Sequence, residues 1–126
     1  MGATIANKGL VYIVDDESML VALADDILAH EGFTTKLFLS AEEALEALRN
    51  RDEDPALLIT DCVMREMDGI KLIEESKKLI PPIKTILVSG TIQESFVKSQ
   101  AVQPDQFLAK PYHVQGLIDA VYKVMG

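Results

Sequence analysis

Four places along the chain carry residues able to do chemistry: Asp15-Asp16-Glu17, Asp61, Ser89-Gly90-Thr91 and Lys110-Pro111. Each follows a short apolar run. Carboxylates brought within ~4–6 Å repel, so one gains a proton unless a cation neutralises the group. Hard oxygen ligands select Mg²⁺, Mn²⁺ or Ca²⁺, and a site with few protein ligands and room for water and a phosphate favours Mg²⁺. A metal beside one fixed ammonium suits a phosphoryl group. Lys110 and the metal neutralise its oxygens, and the Ser89 hydroxyl donates to another. A carboxylate is a competent nucleophile and yields an acyl phosphate. Asp61 stands alone at the end of its run, open to an in-line donor. Asp15 and Asp16 are adjacent and better placed to hold metal.

For these residues to meet, the runs before them must be neighbouring strands. Leu10–Val14, Ala56–Thr60, Thr85–Val88 and Phe107–Ala109 are apolar without alternation, as parallel strands covered on both faces are. Thr35–Leu39 is more polar and suits a sheet edge. Helical patterns lie between. Leu20, Leu23, Ile27 and Leu28 share a face, with Gly32 as a stop. Ser40-Ala-Glu-Glu43 reads as a capping box before Ala44, Leu45 and Leu48. Leu72, Ile73, Leu79 and Ile80 make a third face, ended by Pro81-Pro82. A fourth helix near Ile92 to Val102 is weakly patterned and expected to be short and mobile. Val114, Leu117, Ile118, Val121, Tyr122 and Met125 make a regular fifth. Strands alternating with helices predict an open parallel α/β sheet, whose ligands sit at the carboxyl ends of the strands near the topological switch point.

The length of 126 residues fits one domain, expected over the whole chain with a core from about Gly9 to Met125. A net charge of −8, from 20 acids against 12 bases, argues against direct nucleic-acid binding and anionic membranes. No apolar stretch approaches the ~20 residues of a membrane helix, and no signal peptide is visible before Leu10. The one cysteine, Cys62, allows no intrachain disulfide and fits a reducing, cytoplasmic setting.

The order Asp15-Asp16-Glu17, Asp61 followed by Met64 and Met67-Asp68-Gly69, Val88-Ser89-Gly90, then Lys110-Pro111 resembles the receiver domain of two-component response regulators. The resemblance covers nearly the whole chain. It implies the flavodoxin-like (CheY-like) doubly wound sheet of five parallel strands in order 2-1-3-4-5 with five helices. It implies that Asp61 accepts a phosphoryl group from a phosphohistidine on a sensor histidine kinase or histidine phosphotransfer protein. Asp16, Asp61 and the Val63 carbonyl would ligate Mg²⁺, with Asp15 assisting through water. Lys110 would pair with a phosphate oxygen. Ser89 and Phe107 would be the switch pair, moving when the phosphoryl group arrives and reshaping the surface of the fourth helix, fifth strand and fifth helix for a downstream effector. Such a domain catalyses only its own phosphorylation and dephosphorylation. It is expected to be a monomer or weak dimer, either standing alone or as part of a larger regulator or hybrid kinase. The Lys110–Pro111 bond is expected to be cis.

The chain departs from that pattern at Arg65, Gly90, Phe107 and Val63, none of which removes a required side-chain ligand. Bland readings compete at each position. Asp15 and Asp16 serve equally as turn and cap residues, and Ser89 as a loop serine. Glu17 reads as a first-turn helix-dipole residue rather than a ligand. Cys62 reads as a small buried apolar residue, and His30 and His113 as unpartnered. Three other functions are weighed. A nucleotide-binding flavodoxin-like module would want backbone donors after the first strand, where this chain has Asp-Asp-Glu. A phosphatase of the haloacid dehalogenase class resembles D-x-D at its nucleophile, but Asp61-Cys62-Val63 lacks the second aspartate. A receiver that binds partners without phosphorylation is disfavoured by the intact acidic set.

Overall fold

The apolar runs become strands because each lies covered between helices. The computed structural model describes residues 8–62, 68–89 and 101–126. Strands β1 (Leu10–Val14), β2 (Thr34–Phe38), β3 (Leu57–Asp61), β4 (Lys84–Ser89) and β5 (Gln106–Ala109) form one parallel sheet in the order β2-β1-β3-β4-β5. Every residue of β1 and β3 is buried, whereas β2, at the edge, is largely exposed. This is the expected flavodoxin-like arrangement. Among the described residues the helices are α1 (Ser18–His30), α2 (Ala41–Arg49), α3 (Gly69–Leu79) and α4 (Val114–Met125). The helix expected near Ile92 to Val102 falls largely on residues 90–100, outside the described ones, and Ala101 and Val102 form a bend. No helix among the described residues is long and apolar enough to cross a membrane.

Strand side chains alternate between faces. Leu10, Tyr12 and Val14 pack with Ala44, Leu48, Leu72 and Ile73 of α2 and α3. Val11 and Ile13 pack on the other face with Val21, Ala24 and Leu28 of α1 and Leu117 and Val121 of α4. Three leucine or valine assignments change. Leu23 is 43% exposed, Leu79 36% and Val114 52%. In α1 the small Ala24 carries the contact, so the buried stripe is Val21, Ala24, Ile27 and Leu28, and Leu23 turns about 100° aside.

Helix ends follow local chemistry. Gly32, at φ 98°, closes α1 in a Schellman turn, with Phe33 N–H donating to Leu28 O and Gly32 N–H to Ala29 O. Ser40 Oγ accepts from Glu43 N–H at 3.1 Å and caps α2, as the sequence predicts. Asp68 caps α3 by accepting from Lys71 N–H at 2.8 Å.

One core group is mismatched. Tyr12 is fully buried with its ring 4.8 Å from that of Phe38, yet its hydroxyl has no hydrogen-bond partner among the described residues. An orphaned buried hydroxyl is costly, so Tyr12→Phe is expected to raise stability by about 1 kcal/mol. A urea midpoint that falls instead would show the hydroxyl to be satisfied.

Candidate functional site

The sheet register brings the strand ends to one place. Val14 on β1 is level with Thr60 on β3, Asp61 with Val88 on β4, and Ser89 with Ala109 on β5. One residue past Val14, Asp15 therefore lies level with Asp61, and Lys110 follows one residue past Ala109. β1 and β3 are also where the chain changes its direction of travel across the sheet, the switch point at which such folds bind ligands.

Each acidic side chain is fixed by backbone next to it. Asp15 Oδ1 accepts from Glu17 N–H at 2.9 Å, a turn that ends β1 and opens α1. Asp61 Oδ1 accepts from Cys62 N–H at 2.8 Å. Gly69 N–H donates to Cys62 O at 2.9 Å, laying the start of α3 against the end of β3. Lys110 N–H donates to Ser89 O at 3.0 Å, tying the end of β5 to β4, and the Lys110–Pro111 bond is cis as expected. The start of β5 is pinned by Asp105, which accepts from Lys77 Nζ at 3.0 Å and from Thr85 N–H at 2.8 Å.

These constraints place one oxygen each of Asp15, Asp16 and Asp61 within 4.8 Å of one another. Lys110 Nζ lies 3.2 Å from Asp61 Oδ2 and 3.3 Å from Asp15 Oδ2. Asp15 and Asp61 are 6% and 7% exposed, while Asp16 is exposed. Burial pushes the Asp15 carboxyl above its ordinary value, and the Asp61 charge adds to this, against the Glu17 N–H and Lys110. Burial likewise raises Asp61, against Lys110 and the Cys62 N–H, with Asp16 adding. Burial would lower Lys110, but the charges of Asp61 and Asp15 outweigh it and raise the ammonium above the usual lysine value. More negative charge is gathered here than one ammonium offsets. An all-oxygen set of three carboxylates strained in this way fits a hard divalent cation.

The model of the response regulator receiver domain family matches residues 11–122. The chain belongs to that family. Sequence relatives include the chemotaxis protein CheY of Bacillus subtilis, 30% identical with 91% of this chain and 96% of CheY covered. The sensor kinase CckA of Brucella abortus is also 30% identical over 96% of this chain, which spans only 13% of CckA. Among solved structures, NtrX from Brucella abortus superposes with a TM-score of 0.83 at 28% identity, covering 93% of this chain and 26% of NtrX. The receiver domain is a phosphoacceptor signalling module of two-component systems.

Within this receiver, the structure brings together Asp15, Asp16, Asp61 and Lys110 of the residues singled out from the sequence. Ser89 stands at the end of β4, 2% exposed, its hydroxyl without a hydrogen-bond partner among the described residues. Phe107 is half-buried and packs toward the core on the α2 and α3 side. Val63 lies outside the described residues, as do Met64, Arg65, Met67 and Gly90. Cys62 is buried, and burial, then the Asp61 and Asp68 charges, push its thiol up, away from nucleophilic use. Two residues gained importance over the sequence reading. Glu17, a helix-dipole residue by sequence, reaches to 3.9 Å from Lys110 Nζ. Gly69 sits so close to β3 that a Cβ there would stand 2.0 Å from Asp61 O. The signal available for Glu17 was its adjacency to the aspartate pair at a strand end.

Proposed function

We propose that Asp61 is the phosphoacceptor, taking a phosphoryl group in a Mg²⁺-dependent reaction from a phosphohistidine on a sensor histidine kinase or histidine phosphotransfer protein. The observation that carries this is Lys110 Nζ lying between Asp61 Oδ2 and Asp15 Oδ2, at 3.2 and 3.3 Å, beside the three-carboxylate cluster. A carboxylate oxygen of Asp61 forms the new bond to phosphorus as the P–N bond to the donor histidine breaks. The departing imidazole nitrogen keeps the electron pair. Asp15, Asp16 and Asp61 are the described residues that would hold Mg²⁺. Bound there, the metal supplies positive charge to the carboxylates and to the phosphoryl oxygens.

The phosphoryl group adds about −1.5 to −2 charge beside carboxylates that already repel. Lys110 exchanges an Asp61 oxygen for a phosphoryl oxygen, and the Ser89 hydroxyl, without a partner among the described residues, gains an acceptor. Movement of Ser89 frees space for Phe107, and the surface around β5 and α4 changes its partner, a downstream effector. Two relatives support kinase and effector partners by their descriptions: one is a sensor kinase, and NtrC of Escherichia coli, 27% identical, is a DNA-binding transcriptional regulator. The domain modifies only itself, so it is not an enzyme with an external substrate. A cytoplasmic location suits the free, buried Cys62 thiol.

Intact-mass measurement with acetyl phosphate tests the chemistry. Wild type is expected to gain one phosphoryl group in Mg²⁺ and none in its absence, and Asp61→Asn to gain none. Equal labelling of the two proteins would move the nucleophile elsewhere.

A further inference from the structure

Glu17 touches the site twice. Its backbone N–H donates to Asp15 Oδ1 at 2.9 Å, and its side-chain Oε1 lies 3.9 Å from Lys110 Nζ. The side chain makes no capping bond, although Glu17 is the N-cap residue of α1. It is 64% exposed, whereas the Asp15 and Asp61 side chains are 8% and 9% exposed. Lys110 therefore faces two carboxylates from within the site and a third from the solvent side. A phosphodonor must arrive from solvent, past the exposed members of this group, Asp16 and Glu17. Asp16 belongs to the cluster that would hold the metal, which would offset its charge. Glu17 lies outside that cluster, so a metal held there would not offset its carboxylate directly.

We propose that Glu17 is a specificity-determining residue for the phosphodonor, disfavouring donors that arrive as bare anions and favouring those with a protonated nitrogen on phosphorus. The inference rests on Asp61 being the acceptor. As the donor docks, Lys110 exchanges its Asp61 oxygen for a phosphoryl oxygen and offsets the Glu17 carboxylate, 3.9 Å away, less than before. A dianionic donor such as acetyl phosphate brings only repulsion to that carboxylate. A donor with an ammonium on phosphorus gives that carboxylate a replacement for the offset lost from Lys110. The bond changes are the same in kind. Asp61 oxygen bonds to phosphorus, and either the P–O bond breaks with acetate leaving, or the P–N bond breaks with ammonia leaving on its electron pair.

Initial rates of adduct formation, read by intact mass in Mg²⁺ buffer, test this with acetyl phosphate and with phosphoramidate. Glu17→Gln is expected to speed labelling by acetyl phosphate about two- to fivefold, the size of a screened interaction between unit charges near 4 Å. Labelling by phosphoramidate should stay level or fall, so the ratio of the two rates shifts toward acetyl phosphate. Added salt should shrink that shift. Glu17→Asp, which keeps the charge, should keep most of the wild-type ratio. An unmoved ratio in Glu17→Gln, or an equal shift in Glu17→Asp, overturns the role of the Glu17 charge while leaving Asp61 as acceptor. A wild type that takes no label, or an Asp61→Asn that labels equally well, overturns the acceptor assignment and this inference with it.

Discussion

Gly69→Ala is expected to destabilise the domain by at least about 3 kcal/mol and to cut phosphoryl labelling of Asp61 more than tenfold. A Cβ at this position would meet Asp61 O at 2.0 Å, Asp61 C at 3.0 Å and Leu87 Cδ1 at 3.0 Å. Overpacking usually costs about 1–3 kcal/mol because a side chain can move aside. Here the nearest atom is backbone, held in a strand whose Asp61 is paired in register with Val88. If α3 lifts, the Gly69 N–H bond to Cys62 O and the burial of Leu72 and Ile73 are weakened. If the end of β3 yields instead, the Asp61 carboxylate moves with it. Either route damages the site. Gly116→Ala is the matched control. It lies inside α4, where a Cβ would be 3.9 Å from Leu108 Cδ1, an ordinary contact. That change should stabilise by roughly 0.5–1 kcal/mol through helix propensity. Urea unfolding and intact mass read both variants. Gly69→Ala within about 1 kcal/mol of wild type would show that the β3–α3 approach is not as tight as the structure has it.

The contrast between these glycines shows where sequence reading stops. The strands were legible because their apolar runs have no alternation, and all lie within a residue or two of the observed limits. Ser40, Gly32 and the proline stop after α3 were legible because caps and stops are local chemistry. The site residues were legible as a set because parallel strands deliver their carboxyl ends to one edge, so Asp15, Asp61 and Lys110 had to meet once the order was right. What depends on the side-to-side placement of helices was less visible. Leu23 has the spacing of a core residue, but the fold closes over Ala24 instead. Gly69 is one part of a motif in the sequence, since its approach to Asp61 O joins the start of α3 to the end of β3 and leaves no periodic trace. Glu17 read as a helix-start acid because nothing in the sequence sets how far its side chain leans toward Lys110.

The same crowding of charge predicts that the acceptor aspartate weakens the domain that carries it. In buffer with chelator at neutral pH, Asp61→Asn should be more stable than wild type by about 1–2 kcal/mol, the order of one unmatched buried charge. The Asp15 and Asp61 carboxyls are raised by burial, so the folded state holds protons that the unfolded chain has already released. Their contribution to stability is complete below the ordinary carboxyl pKa and is lost as pH rises through the raised folded values. Lys110 is raised above the ordinary lysine value, so its contribution persists across that whole range and fails only under strongly alkaline conditions. Asparagine keeps the size of the side chain and an oxygen for the Cys62 N–H, and leaves Asp15 matched with Lys110 at 3.3 Å. The advantage of the variant should therefore fade as pH drops and the wild-type carboxyls take up protons. Mg²⁺ should act in the opposite direction, because a ligand that binds only the folded state stabilises it as concentration exceeds Kd. Wild type offers three carboxylates and the variant two, so the gap should close or reverse as Mg²⁺ is added. Urea unfolding at neutral and acid pH, with chelator and with Mg²⁺, reads all of this. An Asp61→Asn protein less stable than wild type in chelator would mean that Lys110 already balances the cluster. The pull on metal and phosphoryl group would then need a source other than relief of buried negative charge.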